Sequence, residues 1–291
     1  MNTDLFIHQV FSGLATGGIY ASVALALVMI YQATHHVNFA QGELAMFSTY
    51  IAWSLLQGGM PYWAAFFLTV AIAFVLGVVI ERVIVRPVED APILSVVIVF
   101  IGLLVIVNSL AGWIFSYTIK PFPSPFPAEP LFGNRYISSH ELGSIGITLV
   151  VLAMLFAFFR FTPLGLAMRA AAQNPISSRL VGFRVGWMLA VGWGLAGAIG
   201  AIAGIMVAPT VFLEPNMMSG ILLYAFAAAL LGGIDSPGGA VLGGFIVGVL
   251  ENVVGSLLGT EIKLTVALVL IVGVLVVRPS GLFGRKLVTR V

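Results

Sequence analysis

The chain has no cysteine, which excludes disulfides and thiolate metal sites. Charge is almost as scarce, since Asp, Glu, Lys and Arg make up only 8% of 291 residues. With 60% hydrophobic residues and a mean hydropathy of +1.11, that scarcity excludes a water-soluble globular fold and points to an integral membrane protein. A net charge of +2 is too small to indicate a nucleic-acid partner. Strict alternation of apolar and polar residues is also missing. Runs such as 96–107 carry no charge and are apolar all round, so they read as helices crossing about 30 Å of hydrocarbon, not as barrel strands. No Lys or Arg precedes Gln32, so the first apolar segment lacks the basic head of a signal peptide and is expected to remain as a span.

What is present reads as an all-α, polytopic membrane bundle of about eight to ten transmembrane helices in one domain, 1–291. The apolar runs place spans near 7–31, 39–56, 62–85, 93–117, 142–159, 186–208, 217–234, 240–258 and 262–277. This arrangement gathers Arg82, Arg86, Arg160, Arg169, Arg179, Arg184, Arg278, Arg285, Lys286 and Arg290 on one side, against Lys120, Arg135 and Lys263 on the other. The basic side is the cytoplasmic one. The loop 118–141 is then the sizeable outward segment, and its PFPSPFP core suits a rigid extended ledge. Trp53, Tyr62, Trp63, Trp113 and Tyr117 fall near span ends and fit an interfacial belt.

The segment 160–185 is neither apolar enough for lipid nor composed like a loop. Thr162-Pro163 reads as a cap followed by proline at the first helical position, and Asn174-Pro175 repeats the signal. Two short helices are expected. The first carries Leu164, Ala167, Met168 and Ala171 on one stripe, with Arg169 and Gln173 on the other side. The second carries Ile176, Arg179 and Leu180 until Gly182 offers a left-handed stop. Neither can cross a bilayer, and a positively charged helical knuckle on the cytoplasmic face suits the grip of another protein.

The landmarks repeat. Tyr20-Ala21 leads to NFAQGE and a helix pair ending at Arg86-Pro87, while Tyr224-Ala225 leads to DSPGGA and a helix pair ending at Arg278-Pro279. Internal repeats with a pathway between them are common in transporters. The polar run 35–43 is readable as a capped cytoplasmic turn, or as the start of a discontinuous helix lining a pathway through Asn38, Phe39, Gln41, Gly42 and Glu43. His35 and His36 point apart on a helix and lack a third ligand nearby, so a metal site is not expected. The run 232–239 has neither a preceding strand nor a following Lys, which makes it a hinge or turn and not a phosphate cradle. Asp235, Ser236 and Gly239 belong to that turn, and Gly239, Gly243, Gly244 and Gly248 mark a helix face that another helix approaches closely. Glu251, near a helix end, is expected at the aqueous border. No nucleophile–base pair falls inside the spans, so catalysis on this chain is not expected.

Together NFAQGE, GLAMRAAAQNPISSRLVG, GGIDSPGGAVLGG and RPSGLFGRK, in that order along the whole chain, resemble the permease subunit of ABC importers for branched-chain amino acids. The resemblance implies that 160–185 is the coupling loop that such permeases lay into a cleft on an ATP-hydrolysing subunit, with Pro163, Gly165, Arg169, Ala170, Asn174, Arg179 and Gly182 as its residues. The acidic member of the family's Glu-Ala-Ala pattern is absent here, leaving Arg169, Arg179 and apolar docking to make the contact. It implies a multi-pass protein of the bacterial inner membrane. The partners implied are a second permease chain, two cytoplasmic ATP-binding subunits and a periplasmic substrate-binding protein. ATP and Mg would sit on the partners, with no cofactor on this chain. The alternative is a stand-alone secondary carrier or channel for small polar solutes such as urea, amides or amino acids; an intramembrane hydrolase is a remoter one.

Overall fold

In a computed structural model of the chain, residues 3–34, 37–89, 91–127 and 138–284 are described. Among the described residues eleven α-helices follow one another: α1 Thr3–Thr34, α2 Gln41–Gln57, α3 Tyr62–Ile80, α4 Ile93–Phe115, α5 Ser139–Phe161, α6 Pro163–Gln173, α7 Pro175–Leu180, α8 Val185–Val211, α9 Ser219–Gly232, α10 Pro237–Leu258 and α11 Lys263–Val277. The protein is an all-α membrane bundle. Among the described residues, seven helical stretches are long and apolar enough to cross a bilayer. With α2 at 17 residues and the shorter apolar helix α9 at 14, the number of apolar helices agrees roughly with the eight to ten expected. The start of α2 is set locally: the chain turns through Asn38–Ala40 before the helix begins, and Gln41, Glu43, Ser48, Thr49 and Ser54 lower its hydropathy. Three of those hydroxyls donate back to carbonyls one turn earlier, at 2.7 to 2.9 Å, which satisfies them within the helix.

The chain folds into two compact units. The first comprises Met1–Val28, Phe126–Thr148 and Gly220–Val291. Its centre is a crossing of α1 and α10 at which a Cβ on Gly248 would collide with Gly17 and one on Gly244 with Ala21. The close approach expected of that glycine face is thus present, and backbones meet where side chains would hold them apart. Tyr20 of α1 stacks on Tyr224 of α9, ring centroids 4.9 Å apart. The run 232–239 is a turn, as expected, clamped by the segment after α11: Leu282 and Phe283 donate their N–H groups to the carbonyls of Leu231 and Gly232 at 2.8 and 3.0 Å.

The second unit comprises Met29–Pro125 and Leu149–Ser219. Here α3 and α8 form the main pair, in van der Waals contact along Gly77 and Gly197, with the buried Trp193 of α8 packed 5.7 Å from the ring of Phe100 on α4. The expected span 62–85 is not a uniform α-helix. It passes into a π-turn at Glu81–Val85 before Pro87, with Arg82 lying 3.9 Å over the ring of Trp187 and Glu81 fully buried. After α4 the chain bends through 116–118, and Lys120 exchanges two backbone hydrogen bonds with Leu213, at 2.9 and 3.0 Å. Each of the two chains entering that bridge is bent at a residue with positive φ, Ser116 at 65° and Phe212 at 64°.

Candidate functional site

Two polar assemblies stand out in the second unit. The first is the α6–α7 knuckle. Thr162 Oγ1 accepts the N–H of Gly165 at 3.0 Å and Asn174 Oδ1 accepts that of Ser177 at 2.9 Å, so both expected caps form. Gly165 lies so close to α5 that a Cβ would strike the carbonyl of Phe158. Gly182 ends the second helix at φ +94°, the left-handed stop that its sequence position suggests. Ala167, Met168 and Ala171 are buried as the stripe predicts, whereas Leu164 is exposed. Met168 joins Met29, Met188 and Phe159 around a small recess whose rim includes Arg169. The opposite face is strongly apolar yet uncovered: Ile176 is 74% and Leu180 84% exposed, next to the exposed Arg179, Leu166 and Val181. Ala170 supplies the carbonyl that receives the N–H of Asn174, joining the two helices at 3.0 Å.

The second assembly surrounds the start of α2. Asn38, Gln41 and Ala40 are wholly buried, Gly42 is buried and Phe39 partly so, which places the start of α2 inside the protein. Asn38 Oδ1 accepts the N–H of Ala40 at 3.0 Å, and Gln41 Nε2 donates to the carbonyl of Ala196 on α8, also at 3.0 Å. Glu43, 5% exposed, accepts from Asn108 Nδ2 of α4 at 3.2 Å. The same amide nitrogen lies 3.0 Å from the carbonyl of Pro215 and 3.2 Å from Asn216 Oδ1, while Tyr117 donates to Asn108 Oδ1 at 3.3 Å. Asn108 and Asn216 carry no motif, and only their position within otherwise apolar or turn segments could have singled them out.

The expected pathway residues thus divide. Asn38, Phe39, Gln41, Gly42 and Glu43 cluster in the second unit, and Asp235, Ser236 and Gly239 lie in the first, where Ser236 caps α10 by accepting the N–H of Gly239 at 3.1 Å. His35 and His36 lie outside the described residues, as do Arg135 and the end of the RPSGLFGRK motif. Among the described residues no group of three His, Cys, Asp or Glu is placed to hold a metal ion. Glu251 corrects its expected place at the aqueous border: it is 5% exposed, because Tyr20 from α1 and Lys263 from the start of α11 close over it.

The family model described as the permease component of branched-chain amino acid transport systems matches residues 9–276. The chain is 30% identical over 303 aligned positions to the high-affinity branched-chain amino acid transport system permease protein LivH of Salmonella typhimurium, covering 98% of both chains. It is 29% identical, with the same coverage, to the corresponding protein BraD of Pseudomonas aeruginosa. It is also 28% identical to a probable LivH permease of Methanocaldococcus jannaschii, over 90% of this chain and 87% of that one.

Proposed function

Because the chain belongs to the family of branched-chain amino acid transport permease components, we propose that it is the membrane-spanning subunit of an ABC importer for branched-chain or related amino acids, driven by ATPase subunits that dock on the α6–α7 knuckle. The observation that carries the docking is the one-sided burial of the knuckle. One face is sunk into its own unit through Met168 and Gly165, and the other offers Ile176, Leu180, Arg169 and Arg179 outward. Capped, short and pinned at Gly165, the two helices move as a rigid lever, so closure of a partner around bound ATP is transmitted to α5 and α8 as displacement. ATP and its magnesium belong to that partner. The arginines lie on the cytoplasmic side of a bacterial inner membrane, a second permease chain completes the pathway, and a periplasmic binding protein delivers the cargo. The relatives are named as parts of transport systems, which favours this reading over a stand-alone carrier.

The test is co-purification of the full chain with a co-expressed ATPase subunit of the same transporter class. Arg169→Glu with Arg179→Glu, or Leu180→Asp, is expected to release the ATPase while the permease stays folded in detergent. Undiminished ATPase retention by both variants would overturn the docking.

A further inference from the structure

The amide nitrogen of Asn108 has two hydrogens and three acceptors within reach: Glu43 Oε2, the Pro215 carbonyl and Asn216 Oδ1. One acceptor is always left over. Among the described residues Glu43 takes part in no ion pair, so its cluster is acceptor-rich and short of both donors and positive charge. Two turns further along the same face of α2, the fully buried hydroxyl of Tyr50 has no hydrogen-bond partner, and it lies within electrostatic reach of Glu214, the residue before Pro215. The cluster is graded, from the exposed Asn216 through the half-buried Asn108 to the buried Glu43. Burial of a carboxylate with one amide donor and of a hydroxyl with none is costly unless a donor arrives to complete them.

We propose that Glu43, Asn108, Asn216 and the Pro215 carbonyl form a transit site for the ammonium group of the cargo, with Tyr50 the next polar contact along α2. A primary ammonium brings three N–H donors and one positive charge, which are the two things the cluster lacks. The inference rests on the importer reading and assigns it a chemical selectivity: the chain itself recognises an amine, whichever side chain the amine carries.

The experiment is equilibrium binding to the detergent-solubilised complex of the full chain with its ATPase. The probes are leucine, 3-methylbutylamine, which lacks the carboxylate, and 4-methylpentanoate, which lacks the amine. Leucine and the amine are expected to bind saturably, and 4-methylpentanoate at least about ten-fold more weakly. Glu43→Gln is expected to weaken both amine-bearing probes by about ten-fold or more and to abolish the preference. Should that variant fail to assemble, Asn216→Asp, at an exposed position, is expected to strengthen amine binding severalfold. Equal binding of 4-methylpentanoate, no saturable binding of any probe, a preference that survives Glu43→Gln, or amine binding indifferent to Asn216→Asp would each overturn the site. These failures are distinct from failure of the importer reading, which shows as a chain that retains no ATPase.

Discussion

The Tyr20 hydroxyl donates a 2.5 Å hydrogen bond to Glu251 Oε2, and Lys263 Nζ stands 3.3 Å from the other oxygen of the same carboxylate. Three helices, α1, α10 and the start of α11, are tied at one buried charge. Tyr20→Phe removes a bond to a charged group and is expected to cost about 1.5–3 kcal/mol. Glu251→Ala strands both partners. With the Lys263 side chain 28% exposed, water relieves part of the loss, so about 1–3 kcal/mol is expected instead of the larger cost of a fully buried pair. Thermal unfolding of the purified chain in detergent checks both, and wild-type midpoints would contradict the tie.

The α1–α10 crossing sets a second expectation. Gly248→Leu forces a side chain into the backbone of Gly17 and is expected to destabilise the chain by about 1–3 kcal/mol or more, seen as lost expression and early aggregation on size exclusion. Gly102→Ala is the matched control. Nothing lies within 4 Å of a Cβ there, and its midpoint is expected to stay at or above wild type.

At the knuckle, Asn174→Ala removes the cap on α7 and is expected to cost about 1 kcal/mol locally. Gly182→Ala, at φ +94°, is expected to add a similar strain. Since α7 has only six residues, either change is expected to speed proteolysis within 174–183 while the global midpoint moves little. Unchanged proteolysis would show that the caps do not hold the knuckle.

These elements differ in how openly the sequence announces them. The caps at Thr162 and Asn174, the stop at Gly182 and the glycine face of α10 are local chemistry, and each formed where its residues indicated. The start of α2 was legible as a polar run too, and its extent, 41–57 against the expected 39–56, lies within two residues of the reading. Glu251, by contrast, misled. It stands seven residues from the end of α10, which suggests an aqueous border, but its surroundings come from residues 20 and 263. Asn108 is a lone amide in an apolar run whose partners lie 65 and 108 positions away, and no spacing rule reaches that far.

The central claim, that the knuckle faces the cell interior and is covered by an ATPase, is open to one direct measurement because the chain has no cysteine of its own. Arg179→Cys gives a single thiol on an exposed helix. A membrane-impermeant maleimide is expected to label it in inside-out vesicles and not in right-side-out ones, and bound ATPase is expected to slow that labelling. Labelling from the outer face of right-side-out vesicles would contradict the account.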